Sequence, residues 1–191
     1  VHIASRGTAL VFLRSQFDGT DAVFHTKPGP EIQYAKYGNL IKIAAQVPSF
    51  LFSIRREKKW TEFLALHHNI THIVSDNCYG VAHPTVPAAL ISHQLQLPVP
   101  LLLRKLAKTF VARQARRFQE VWVPDTKDFS MSGRLAADNP LEHQTMIGVL
   151  SRLPLDAQPG HWQRVGMVSG PEPHRTLMEH ALRKWILEDS E

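Results

Sequence analysis

The chain alternates between short apolar runs and longer segments in which apolar residues recur every three or four positions. The short runs predict strands that are buried on both faces, as in a parallel sheet. The longer segments predict amphipathic helices that cover such a sheet. Predicted strands occupy residues 1–4, 22–25, 71–75, 88–92, 120–123, 146–150 and 164–169. Predicted helices occupy residues 8–17, 39–68 with a kink or a new start at Pro48, 102–118 and 174–188.

This order of elements predicts an α/β fold with a Rossmann-like, doubly wound parallel sheet. Residues 1–150 are the predicted main domain. Residues 151–163 are rich in proline and glycine and predict a linker. Residues 164–191 then restart the pattern with one strand and one helix. Such a pair cannot bury a core alone, so we expect it to begin a second domain or to pack on the first.

Composition excludes a disordered chain and favours anionic partners. Hydrophobic residues make up 43% of the 191 residues, which is enough for a core. The net charge of +5 favours contact with phosphates, nucleotides or acidic lipid. The single cysteine excludes an internal disulfide and favours a reducing compartment. No apolar run reaches the length of a membrane span.

Polar residues follow two of the central predicted strands. In open α/β sheets, ligands bind outside the carboxyl ends of the strands, so a site is expected there. The candidate site residues are Asp76, Asn77, Tyr79, His93 and Gln94. His93 is a candidate base, because an imidazole accepts a proton near neutral pH, and Asp76 is a candidate to orient a hydroxyl. A histidine bonded to backbone and an aspartate that caps a turn are the alternatives.

Other polar patterns predict no further chemistry. The histidines at 67, 68 and 72 have no cysteine or carboxylate at ligand spacing, so we expect neither a metal site nor a cofactor. Cys78 has no paired histidine motif and is not expected to act as a nucleophile. The charge run at residues 55–59 predicts a solvated helix face.

The predicted helix at residues 102–118 is basic on one side, and an apolar segment precedes it. Leu103 and Leu106 fall on its apolar side, together with Phe110. Residues 104–117 are therefore a candidate contact with an anionic membrane, and a solvated basic face is the alternative. No nucleic-acid-binding motif is present, so no nucleic-acid partner is expected.

Six short segments carry a resemblance to a known family. They are SDNCYG at 75–80, ISHQL at 91–95, VWVPD at 121–125, SGRL at 132–135, IGVLSR at 147–152 and SGPEPHRT at 169–176. With these segments the chain resembles bacterial glycosyltransferase-like proteins. They are related to glycosyltransferase family 28, which contains the N-acetylglucosaminyltransferase of peptidoglycan synthesis.

The resemblance implies a two-domain GT-B architecture, with residues 1–150 as the acceptor-side domain lacking its first strand. Family members begin with a strand and a glycine-rich loop that carries a histidine, and nothing like it precedes Val1. Residues 164–191 would then be the first strand and helix of the donor-binding domain. We therefore expect this chain to be inactive alone.

The implied activity is hexosyl transfer from a nucleotide sugar, expected to be a UDP-sugar, to a glycan or lipid-linked acceptor of the cell envelope. Asn77, Tyr79 and Gln94 would bind the acceptor. The implied donor-binding residues are Ser169, Gly170, Glu172 and Arg175. A helix N-terminus and an arginine would meet the diphosphate without a metal, although two nearby prolines remove N–H donors.

The expected location is the cytoplasm, with peripheral contact at the inner face of the membrane. Two alternatives stay open. One is a nucleotide-sugar epimerase of similar architecture, and the other is a non-enzymatic domain that binds a sugar or a protein.

Overall fold

The computed structural model describes residues 1–29, 47–97, 99, 101–128, 131–133, 136, 141, 143–151, 165–170 and 172–188. The chain divides into two compact units. The first contains Val1–Gly29 and Leu51–Arg152, and the second contains Pro30–Phe50 and Leu153–Glu191. The fold is mixed α/β with parallel strands, as the sequence predicts.

Helices and strands alternate along much of the described chain. The strands are β1 (His2–Ser5), β2 (Val23–Thr26), β3 (Ile73–Asp76), β4 (Ala88–Ile91), β5 (Glu120–Val123) and β6 (Gln144–Met146). The helices are α1 (Gly7–Gln16), α2 (Val47–His67), α3 (Arg104–Ala115) and α4 (His174–Glu188). Short 3₁₀ turns occupy Tyr79–Val81 and Leu101–Leu103. The predicted start of the second helix at residue 39 lies outside the described residues.

Strands β3, β4, β5 and β6 form one parallel sheet in sequence order. Asp76 lies opposite Ile91, and Ile91 lies opposite Trp122, so the carboxyl ends of β3, β4 and β5 meet at one edge. Three of the four residues of β4 are buried. This central strand matches the predicted strand with two covered faces.

A second parallel sheet is formed by β1 and β2, with His2 opposite Val23 and Ala4 opposite His25. Among the described residues, no strand pairing joins it to the sheet of β3–β6. The coarse expectation of parallel α/β structure is therefore confirmed, whereas the strands form two sheets in place of one.

The core of the first unit lies between the larger sheet and α3. Leu90, Val121 and Val123 of the sheet are fully buried. Val111 and Ala115 of α3 are fully buried as well, on one side of that helix. Burial of these apolar side chains stabilises the first unit, at roughly 25 cal/mol per Å² of apolar surface removed from water.

Two predicted strands were misplaced. The strand predicted at 146–150 lies at Gln144–Met146, because Gly148 has a φ of 74° and turns the chain away from the sheet. The strand predicted at 164–169 is also wrong, since residues 165–169 have no strand structure. A Cβ added to Gly166 would lie 3.3 Å from Ile186 and 3.5 Å from Leu182, so this segment runs close to α4.

Helix α3 is shorter than predicted, and its first residues are more exposed. Leu101–Leu103 form a 3₁₀ turn that leads into the helix. Leu102 is 93% exposed and Leu106 is 68% exposed, so the predicted apolar side of this helix is open to solvent at Leu106. Among the described residues, no helix is both long enough and apolar enough to cross a membrane.

Candidate functional site

A cleft opens at the carboxyl ends of the strands in the larger sheet. Its volume is about 320 Å³. The lining residues are Asp76, Ile91, His93, Pro124, Met131, Val149 and Leu150. Asp76 and His93 are ionisable, and the other lining residues are apolar. The cleft lies at the sheet edge where ligands bind in open α/β folds.

Neighbouring strands bring the two predicted catalytic candidates to one wall of this cleft. Asp76 is the last residue of β3 and pairs with Ile91, the last residue of β4. His93 follows Ile91 by two residues, and both Asp76 and His93 are exposed. A carboxylate and an imidazole in one cleft can orient a hydroxyl and accept its proton.

Asn77 and Gln94 belong to the turns that support this pair. The Ser92 hydroxyl donates to Asn77 Oδ1 at 3.1 Å and lies 3.3 Å from the backbone N–H of Gln94, which donates to it. Asn77 has a φ of 51°, a left-handed conformation that asparagine tolerates. Ser92 is fully buried, whereas Asn77 is exposed, so the bond between the turns is partly buried. Neither Asn77 nor Gln94 lines the cleft.

Tyr79, a predicted acceptor ligand, lies in the core. Its side chain is buried and packs edge-on against Phe110, with ring centroids 6.1 Å apart. Burial raises the pKa of Tyr79 to about 12. The tyrosine does not line the cleft, so the structure gives it a packing role.

Asp125 organises the loop that closes one side of the cleft, and its role was not predicted. It follows β5 and is fully buried. Its carboxylate accepts the backbone N–H groups of Thr126 at 2.6 Å, Met131 at 3.1 Å and Ser132 at 2.7 Å, and it also accepts the Ser132 hydroxyl. These bonds, led by the Ser132 hydroxyl, lower the pKa of Asp125 well below its usual range. The loop thereby places Met131 in the cleft wall.

A charge cluster lies beyond the ends of β1, β2 and β3. Glu57 Oε1 is 2.7 Å from Arg6 Nη2 and 2.9 Å from Lys27 Nζ. The Ser53 hydroxyl donates to the same oxygen at 3.3 Å. Lys27 Nζ also donates to Cys78 Sγ at 3.0 Å. Glu57 is only 4% exposed, so the prediction that the run at 55–59 is a solvated face was wrong at this residue.

The predicted donor-binding residues lie in the second unit, near the start of α4. Gly170 has a φ of 113°, which favours glycine. The carboxylate of Glu172 accepts the Thr176 hydroxyl at 2.7 Å and the Thr176 backbone N–H at 3.3 Å. These bonds, led by the hydroxyl, lower the pKa of Glu172, and Arg175 adds to the effect. Ser169 and Arg175 precede and follow this turn, and Glu172 caps the helix.

Sequence reasoning missed several residues because their roles depend on contacts between distant segments. Asp125 follows the end of β5 by two residues, close to the strand end as Asp76 is in β3, and that position was the available signal. Val149 and Leu150 reach the cleft because Gly148 turns the chain, which periodicity alone does not reveal.

Comparisons with known proteins leave the family open. No protein-family model, curated protein or solved structure matches the chain. The resemblance carried by the six segments stays a prediction, and the function has to be inferred from the geometry of the site.

Proposed function

We propose that the chain is the acceptor-side part of a glycosyltransferase of the GT-B type with a Rossmann-like first domain. The observation that carries the proposal is that Asp76 and His93 line one cleft at the carboxyl ends of parallel strands. The six segments that resemble glycosyltransferase family 28 include both residues. The transferred sugar would come from a nucleotide sugar, with UDP-sugars as the first class to test.

The proposed reaction is a displacement at the anomeric carbon of the donor sugar. Asp76 accepts a hydrogen bond from the acceptor hydroxyl and orients it. His93 takes the hydroxyl proton while the oxygen forms a bond to the anomeric carbon. The bond from that carbon to the diphosphate oxygen breaks, and its electron pair leaves with the nucleoside diphosphate.

In the second unit, Arg175 and the first turn of α4 would bind the diphosphate of a nucleotide sugar. Positive charge and free backbone N–H groups at a helix N-terminus favour an anion there. Ser169 and Gly170 form the approach to this turn. Glu172 already holds Thr176, so we assign it to shaping the turn.

The acceptor is proposed to be amphipathic, as a lipid-linked glycan of the cell envelope would be. Ile91, Val149 and Leu150 give the cleft an apolar wall beside the two polar groups. On the same unit, Leu101 and Leu102 are highly exposed and precede Arg104 and Lys105, which are exposed as well. Exposed leucines beside basic residues suit peripheral contact with an anionic membrane at its cytoplasmic face.

The first experiment is a calorimetric titration of the longest natural form of the protein that contains these residues. The titrants are UDP-, GDP- and dTDP-sugars. Saturable binding of one nucleotide class supports the proposal and identifies the donor class. The absence of binding across the panel would favour the non-enzymatic domain.

The second experiment separates transfer from epimerisation by product analysis with the bound nucleotide sugar. Transfer releases the nucleoside diphosphate, whereas an epimerase changes the sugar. His93→Ala should lower the turnover number at least about 100-fold, as expected for loss of a general base. His72→Ala is the matched control, because His72 lies on the surface before β3 and does not line the cleft. Equal loss of turnover in both variants would remove His93 from the mechanism.

A further inference from the structure

Three histidines from separate parts of the first unit meet in one cluster. His2 lies on β1, His25 lies on β2, and His68 follows α2. His2 Nδ1 is 2.9 Å from His25 Nε2. The His68 ring centroid is 4.6 Å from that of His2 and 5.0 Å from that of His25. One ring nitrogen from each residue can be chosen so that all three lie within 4.8 Å of one another.

The strand register explains why two of these rings lie together. His2 pairs with Val23 and Ala4 pairs with His25, so the two histidines are diagonal neighbours. Side chains two residues apart along a strand share one face of the sheet. His2 and His25 therefore project from the same face of the small sheet, with ring planes only 14° apart.

The end of α2 fixes the third ring. The backbone N–H of His68 bonds to Leu64 O at 3.0 Å, and that of Ile70 bonds to Ala65 O at 3.1 Å. Asn69 between them has a φ of 50°. This is the pattern of a Schellman cap, in which a left-handed residue ends the helix. The cap holds His68 at the last turn of α2, where it meets the other two rings.

We propose that His2, His25 and His68 form a binding site for Zn²⁺, with a fourth coordination position open to water. In some known zinc sites, three imidazole nitrogens bind the metal and a water molecule occupies the fourth position. Tetrahedral coordination with Zn–N bonds of 2.0–2.1 Å requires nitrogens about 3.3 Å apart. The pair at 2.9 Å is close to that spacing, and the chosen His68 nitrogen lies within 4.8 Å of the other two.

The chemistry of the cluster favours Zn²⁺ over hard cations. No carboxylate or thiolate joins this group in the part of the chain that the structure describes. Mg²⁺ and Ca²⁺ prefer oxygen ligands, whereas imidazole suits Zn²⁺ and its neighbours. The carbonyl end of the α2 dipole also favours a cation at this position. The site shares no residue with the cleft of Asp76 and His93, so its test is independent of the proposed transferase function.

The test is a calorimetric titration of the untagged chain with Zn²⁺, with Mg²⁺ as a second titrant. We expect one Zn²⁺ per chain and no heat of binding from Mg²⁺. His68→Ala and His25→Ala should each weaken Zn²⁺ binding at least about 100-fold, since each removes one of three ligands. His67→Ala is the matched control, because His67 instead bonds to Phe63 O at 2.8 Å. A chain with Gly-Ser added before Val1 excludes coordination by the terminal amino group.

A second measurement does not depend on the folding of the variants. Nuclear magnetic resonance of the wild-type imidazoles during Zn²⁺ addition should shift the signals of His2, His25 and His68 together, at one equivalent. Asn69→Gly should keep the affinity, because glycine also adopts the left-handed cap. Equal affinity in His68→Ala and wild type would overturn the proposal, as would shifts spread over other histidines.

Discussion

Arg6 Nη2 and Glu57 Oε1 lie 2.7 Å apart, which joins the end of β1 to the middle of α2. Lys27, just beyond β2, approaches the same carboxylate oxygen. One buried acidic side chain therefore holds the carboxyl ends of both strands in the smaller sheet.

Glu57→Ala should lower the free energy of unfolding by about 3 kcal/mol, because it removes the carboxylate that two largely buried cations contact. Urea denaturation followed by circular dichroism measures the loss. Glu62→Ala is the control on the same helix. Its pair with Lys58 spans 3.8 Å, with side chains 41% and 49% exposed, so its loss should cost less than about 1 kcal/mol. Equal effects of the two substitutions would contradict the role of Glu57.

Gly80→Ala should destabilise the same region by about 1–3 kcal/mol through overpacking. A Cβ at Gly80 would clash with Glu57 Oε2 and would lie 3.0 Å from the backbone oxygen of Ile54. A double-mutant cycle with Glu57→Ala tests the contact, because removal of the Glu57 side chain should relieve part of the clash. Strict additivity of the two unfolding free energies would show that Gly80 is not constrained by Glu57.

Asp125→Asn should lower the melting temperature by at least about 4 °C at pH 7, because the amide cannot accept all the N–H and O–H donors that the carboxylate holds. Because folding lowers the pKa of Asp125, its carboxylate stabilises the folded state fully at pH values above the pKa of an aspartate in the unfolded chain, near 3.9. That stabilisation is lost as the pH falls through the pKa of Asp125 in the folded state. The difference between wild type and variant should therefore shrink as the pH falls below about 4. A difference that does not change with pH would contradict this account.

The three-histidine cluster should make stability depend on pH when metal is removed with a chelator. Desolvation lowers the pKa of His2 and of His25, and neighbouring charges lower them further. The folded state then binds fewer protons than the unfolded state just below pH 6.5, so stability rises with pH in that range. His25→Gln should flatten the rise measured by urea denaturation at several pH values. His67→Gln should leave the rise unchanged.

Leu102→Ser should reduce binding to vesicles that contain anionic lipid, because this side chain is almost fully exposed at the start of the basic helix. Replacement of Lys105, Lys108 and Arg113 by Gln should reduce binding further and weaken its dependence on salt. Vesicle sedimentation measures both effects, with vesicles of neutral lipid as the control. Unchanged binding in both variants would leave a solvated basic face as the explanation.

The sequence predicts β4 well because residues on both of its faces are buried. The expectation of two covered faces was wrong for β3, where Val74 is 59% exposed. A strand such as β4, with three buried residues in succession, appears in the sequence as an apolar run, which is not typical of a surface element. Its polar end then indicates where the cleft lies. Asp76 and His93 could therefore be placed together from the sequence, since parallel neighbours align their carboxyl ends.

Contacts that join distant segments were not predictable in the same way. Glu57 looks solvated within its charge run, and its contacts with Arg6, Lys27 and Ser53 make its burial favourable. His67 and His68 are adjacent in sequence, yet only His68 belongs to the three-histidine cluster, because the helix ends in a cap at Asn69. The predicted strand at 164–169 failed because a lone extended segment gains no ladder bonds in the described part of its unit.

Cys78 is the single cysteine of the chain, and its sulfur accepts a hydrogen bond from Lys27 at the border of the charge cluster. A thiol-specific label can therefore modify the protein at one defined position. The rate of labelling would report how often the turn after β3 separates from Lys27, which is a local opening distinct from global unfolding. Labelling of Cys78 in the wild-type chain thus measures the opening rate of the region that adjoins the candidate site.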